Sequence, residues 1–203
     1  MIGSYVVTGG ARGIGRAITA RLAADGHVAV VDIDADALAW TAEHPQITAV
    51  PGDAGDEAVT DRAADAAEAA APLLGWVNNA AVFHEATLHD GPAAELLELI
   101  ILNLALAVTG CATAIRRFLA SGHPGAIVNV SSHQAQRPVA GALPYATAKA
   151  AIEGLTRACR WMEDAPYSAT TPSHAASTPK GWRTNEALSR RGHRTPNPQK
   201  LIA

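Results

Sequence analysis

Short β-branched runs alternate with alanine-rich stretches through the first two-thirds of this chain, and that alternation restricts the fold severely. Extended segments read at residues 4–8, 28–32, 47–50, 73–77 and 125–131. Helical stretches read at 13–24, 35–42, 56–71, from 91 or 92 to 119, and 145–161. Strand followed by helix, repeated, means βαβ units joined by right-handed crossovers into a parallel sheet. Val28-Ala29-Val30-Val31 is apolar at every position, as expected of a strand covered on both faces. The expected fold class is α/β, a doubly wound parallel sheet in three α/β/α layers.

Composition narrows the function classes. A chain of 203 residues with 48% hydrophobic and 17% charged content buries one sizeable core. Its net charge of -3 supplies no basic field for nucleic acid. The first residues lack the basic-then-apolar pattern of a secretory leader. The longest apolar candidate for a membrane span, residues 98–108, is interrupted by Asn103 and is too short, so no membrane partner is expected. Cys111 and Cys159 have no metal or redox spacing and read as small core residues of a cytoplasmic protein. No cluster of side chains has metal-ligand spacing. His84, His89 and His133 read as structural or solvated residues.

Three motifs carry chemistry. Thr8-Gly9-Gly10-Ala11-Arg12-Gly13-Ile14-Gly15 joins the first strand to the first helix, where glycines let backbone N–H groups approach a pyrophosphate resting on the helix N-terminus. Asp32 ends the second strand about twenty residues later. It reads either as a cap or solvated acid beside Asp34 and Asp36, or as the acceptor for a ribose hydroxyl; the glycine turn favours the ribose. A carboxylate there repels a 2′-phosphate, so NAD is expected in preference to NADP, with Arg12 as the residue able to reverse that choice. Tyr145 and Lys149 lie four apart, about one helical turn, and Ser132 stands thirteen residues before Tyr145. An ammonium beside a phenol favours the phenolate, which makes a general acid or base, and a nearby serine can hold a substrate oxygen.

Together these residues resemble the short-chain dehydrogenase/reductase family in its single-domain Rossmann form, over residues 2–162. The resemblance assigns the catalytic set Asn103, Ser132, Tyr145 and Lys149. Tyr145 would exchange a proton with substrate oxygen, Lys149 would favour its phenolate and hold ribose hydroxyls, and Ser132 would orient the carbonyl. Asn103 would open its helix locally and hold a water leading to Lys149. Cofactor contacts are implied at Gly9, Arg12, Gly13, Ile14 and Gly15, at Asp32, at Asp53 (adenine) and Ala54, and at Asn79 and Ala80. Tyr145 and Lys149 complete them. Asn78-Asn79-Ala80-Ala81 stands for the family's Asn-Asn-Ala-Gly, with one added methyl at Ala81.

Residues 163–203 are crowded with Pro, Ser, Thr, Arg and His and read as an irregular or disordered tail, so the sheet is expected to lack its last strands. The exposed edge of the fifth strand would then invite aggregation. One base out of register, residues 170–183 permit the peptide N-A-V-A-R-G-I-D-T-E-G-L-A, which is similar to the family's sixth strand and the start of its lid. That raises the expectation of an out-of-frame tail, which the DNA sequence tests. The implied activity is hydride transfer between NAD(H) and a secondary alcohol or ketone. Epimerisation or dehydration on the same fold, and a truncated protein that only binds dinucleotide, are the alternatives. The resemblance also admits a homodimer or homotetramer through the long helix and the Tyr145-bearing helix.

Overall fold

A computed structural model of the chain describes residues 3–89, 91–160 and 167–171. Its elements run β1 Gly3–Thr8, α1 Gly13–Leu22, β2 Gly26–Asp32, β3 Ile47–Pro51, α2 Glu57–Ala70, β4 Leu73–Asn78, α3 Ala93–Ser121, β5 Gly125–Asn129, α4 Leu143–Cys159 and β6 Tyr167–Thr170. All described strand pairings are parallel, in the order β3-β2-β1-β4-β5-β6. Sequence neighbours run outward in both directions from β1 and β4, which places a reversal of strand order between them. Thr8 lies opposite Val31, Val7 opposite Val77, and Asn78 opposite Asn129.

Side chains alternate across the strands and split the core in two. Val6, Ala29 and Val31 face α2 and α3 with Trp76, Leu106 and Phe118. Their neighbours Val7, Val28 and Val30 face the other way, toward Ile18 and Leu22 of α1 and toward Leu38 and Trp40. The expected three-layer doubly wound α/β architecture is the one observed. Helix ends follow local chemistry. Asp56 caps α2 by accepting from Ala58 N at 2.8 Å. Gly122, at φ 67°, closes α3 through Gly122 N donating to Phe118 O. Pro144 sits in the first turn of α4, where its missing N–H costs nothing.

Three expectations are corrected. The helix expected at 35–42 is a 3-10 helix over Asp36–Glu43, held by i→i+3 bonds such as His44 N to Thr41 O at 2.9 Å. The segment is short, and Asp34 and Pro45 bound it closely. The sheet does not stop at β5: Tyr167–Thr170 pairs with β5, Val128 opposite Thr170, so the β5 edge is covered. Tertiary contacts recruit this strand. Tyr167 stacks on Phe118 at 6.4 Å, Ala169 is buried, and Arg160 Nε donates to Ala169 O. No seventh strand occurs among the described residues, and the out-of-frame segment lies outside them except for Thr170 and Thr171. Finally, α3 is long and apolar enough, by length and composition, to cross a bilayer, contrary to expectation. Asn103 sits within it without shortening it. One stripe, including Leu96, Leu106, Ala107, Ala114 and Phe118, is buried against the rest of the fold, as in a core helix.

Candidate active site

Parallel strands bring their C-terminal ends to one edge of the sheet, and the glycine turn, Asp32, Asp53, Asn79 and Ser132 all follow or end strands at that edge. The glycine turn leaves β1 at the strand-order reversal. Gly9 N and Gly10 N both donate to Val31 O, at 2.8 and 3.3 Å. Asn79, just past β4, locks the turn from the other side. Its Nδ2 donates to Thr8 O (3.1 Å) and Gly9 O (2.9 Å), while Asn79 N and Ala80 N both donate to Thr8 Oγ1 at 3.1 Å. A β-carbon on Gly15 would stand 2.0 Å from Gly9 O and 2.5 Å from Asn79 Nδ2, so only glycine fits there. No side chain caps α1, and the space around Gly13 is open. An uncapped helix N-terminus behind an open glycine is a site for an anion such as a pyrophosphate. The turn therefore fits a dinucleotide.

Asp32 ends β2 with its carboxylate fixed: Oδ2 accepts from Ala11 N at 2.9 Å and Oδ1 from Asp34 N at 3.1 Å. Arg12, the α1 N-cap residue, pairs with Asp34. Trp40 Nε1 donates to Ala11 O at 3.1 Å and so packs the 3-10 helix onto the turn. Ile14 is exposed beside it. Asp53 follows β3 and accepts from Gly55 N at 2.8 Å, and the next residue, Ala54, is buried.

The other half of the edge carries the proton-handling groups. Lys149 is 2% exposed, its Nζ donates to Val130 O at 2.7 Å, and it stands 5.5 Å from the centroid of the Tyr145 ring. Burial pushes the Lys149 ammonium down to about 8. It thus remains mostly protonated at neutral pH. The two serines after β5 separate cleanly. Ser131 is buried with its hydroxyl directed at Lys149 O and Glu153 Oε1, which ties β5 to α4. Ser132 is half-buried and accepts from Gln134 N at 3.2 Å, opening the short 3-10 turn His133–Ala135 that packs against α4. That bond leaves its O–H available to a ligand.

Asn103 is placed differently from the expectation. Helix α3 runs unbroken through it, without the local opening. Its side chain clamps the segment after β4: Oδ1 accepts from Val82 N and Nδ2 donates to Val82 O, both at 2.9 Å, with a further bond to Leu99 O. The clamp holds Phe83, whose ring meets that of Tyr145 edge to face at 5.4 Å. Phe83 was not anticipated; its sequence signal was an aromatic residue four places after Asn79 in a chain with two Phe. No group of metal-ligating side chains occurs among the described residues.

Comparison with known proteins agrees with this geometry. A family model described as short chain dehydrogenase matches residues 4–168. The chain is 33% identical over 163 residues to carbonyl reductase family member 4 of Danio rerio, covering 75% of this chain and 65% of that protein. It is 34% identical over 181 residues to L-2,3-butanediol dehydrogenase of Corynebacterium glutamicum, covering 84% of this chain and 69% of that one. It therefore spans about two-thirds of the length of these relatives. A solved short chain dehydrogenase from Bacillus anthracis shares the fold, with a TM-score of 0.76 at 20% identity over 84% of this chain and 75% of that one. With its glycine turn, its strand order and its Ser132, Tyr145 and Lys149 at one sheet edge, the chain belongs to the short-chain dehydrogenase family, whose members bind NAD or NADP.

Proposed function

We propose that the chain is an NAD-dependent oxidoreductase acting on a small secondary alcohol or ketone in the cytoplasm. The observation that carries the reading is Lys149. A buried ammonium set against the face of a half-buried tyrosine is unfavourable for folding and useful for proton transfer. A bound nicotinamide dinucleotide would supply the hydride chemistry. The chain's own residues would do the rest. The α1 N-terminus and glycine turn bind the pyrophosphate, and Asp32 accepts from a ribose hydroxyl. Ser132 holds the substrate oxygen, and Tyr145 gives or takes its proton with the buried Lys149 ammonium beside its ring. Asn103 acts through Val82 and Phe83 to hold the wall beside Tyr145. The names of the relatives, a carbonyl reductase and a butanediol dehydrogenase, support a ketone or alcohol substrate.

Self-association belongs to the same proposal. Leu97, Ile101 and Val108 form an outward apolar stripe on α3, suited to a homodimer or homotetramer. A second reading, dinucleotide binding without turnover, is favoured by residues 172–203, which have no apolar periodicity with which to cover a substrate.

The test is NADH fluorescence titration with a turnover screen of ketones and secondary alcohols. The unaltered chain is expected to bind NADH and turn over at least one of them. Tyr145→Phe is expected to keep NADH affinity and lose turnover by about a hundredfold or more. NADH binding with no turnover by either protein selects the second reading, and no NADH binding by either overturns both.

A further inference from the structure

We infer that Asp34 is a cofactor-specificity residue: it engages Arg12, the cation of the glycine turn, and so withholds it from the 2′-phosphate of NADP. The inference rests on the reading of Asp32 as the ribose acceptor and adds a second acid to it.

Arg12 is the one residue of the turn able to pair with a phosphate, and an arginine so placed would ordinarily favour NADP. In this chain its guanidinium is paired with Asp34. Asp34 is not a loosely held surface acid. Its Oδ1 accepts from Ala37 N at 3.0 Å, in the first turn of the 3-10 helix, while its own N–H donates to Asp32 Oδ1 at 3.1 Å. Asp32 is bound in turn to Ala11 N at 2.9 Å. Residues 32–37 and 11–12 thus form one small bonded unit in which the second Asp34 oxygen is presented to Arg12.

The neighbouring cation is engaged as well. Arg16 lies 4.7 Å over the Trp40 ring, and Trp40 is itself bonded to Ala11 O. A phosphate arriving beside Asp32 would meet two fixed carboxylates and two occupied guanidinium groups. The repulsion comes from Asp32, and the part of Asp34 is to remove a cation, without any added contact to NAD. The Arg12–Asp34 pair is solvent-exposed, with side-chain exposures of 69% and 43%, so the lock is weak enough to undo with one substitution.

The experiment titrates NADH and NADPH by nicotinamide fluorescence into the unaltered chain, D34N and the R12A/D34N double variant, with adenosine 2′,5′-bisphosphate as competitor. Asparagine keeps an oxygen for Ala37 N and removes only the charge. NADH binding in the same samples reports that each variant is folded. The NADPH-to-NADH affinity ratio is expected to rise about fivefold in D34N and to fall back in the double variant. A ratio in D34N within about twofold of the unaltered chain overturns the inference, as does a gain that survives the loss of Arg12. Absence of NADH binding by the unaltered chain overturns instead the dinucleotide reading beneath it.

Discussion

Lys149 fixes the sign of the pH dependence. Its ordinary value of 10.5 is lowered by burial to about 8, so the folded state holds this proton less tightly than the unfolded chain does. Below about pH 8 both states carry the charge, and the fold bears the full cost of burying it. Between about 8 and 10.5 the unfolded chain binds a proton that the folded chain lacks, so stability rises with pH across that window and levels off above it. The rise is on the order of 3 kcal/mol. Urea unfolding at pH 7 and pH 10 is expected to show it in the unaltered chain and not in Lys149→Met; equal pH dependence in the two would refute this account of Lys149. Turnover should respond oppositely and decline above about pH 8, as the ammonium beside Tyr145 loses its charge. The residues of this pair were legible in the sequence because helical spacing alone sets them on one face. Phe83, Asp34 and the Asn103 clamp on Val82 were not. Their partners lie far along the chain or across a loop, and no local period encodes such contacts.

At the level of elements, the packing of α3 on β4 depends on one missing side chain. A β-carbon at Gly110 would stand 1.9 Å from Asn78 Oδ1 and 2.7 Å from Trp76 Nε1. That space holds a buried chain of hydrogen bonds. Trp76 Nε1 donates to Asn78 Oδ1 (2.8 Å), Asn78 Nδ2 to Asn129 Oδ1 (2.8 Å), and Asn129 Nδ2 to Thr156 Oγ1 (2.9 Å). The chain links β4, β5 and α4, the elements that present Asn79, Ser132 and Tyr145. Gly110→Ala must push α3 off the sheet or break the first of these bonds. It is expected to cost about 1–3 kcal/mol, read from the urea midpoint, with larger losses if the network opens. A change below about 0.5 kcal/mol would mean that α3 shifts freely. The strands β1 to β5 were legible from their β-branched runs, and the helices from their period. The 3-10 segment was missed because eight residues of mixed character suit either helix type. β6 was missed for another reason. Tyr-Ser-Ala-Thr shows no strand pattern of its own, and the open edge of β5, Phe118 and Arg160 recruit it.

For the whole molecule, the order β3-β2-β1-β4-β5-β6 explains why residues as far apart as Gly9 and Lys149 lie at one edge of the sheet: strands β1 to β5 each deliver the following loop there. The sequence alternation foretold that much. It did not distinguish the two sides of α3. The inner stripe is consumed by the core, while Leu97, Ile101 and Val108 remain 56%, 61% and 43% exposed along the outer side. Positions four and seven apart fall nearly in line on a helix, so these three make one continuous apolar strip. Burying such side chains gains roughly 1.5–3 kcal/mol each, and a second copy of α3 presents the same strip for isologous pairing. Light scattering is expected to give a dimer or tetramer for the unaltered chain. Ile101→Glu should yield a monomer, because a carboxylate facing its own copy is desolvated beside a like charge. NADH titration of the monomer separates assembly from binding, since the strip lies on the outer side of α3 while the glycine turn and Asp32 lie at the strand ends. A monomeric unaltered chain, or an Ile101→Glu protein that keeps its mass, would leave the strip without a partner in a second copy.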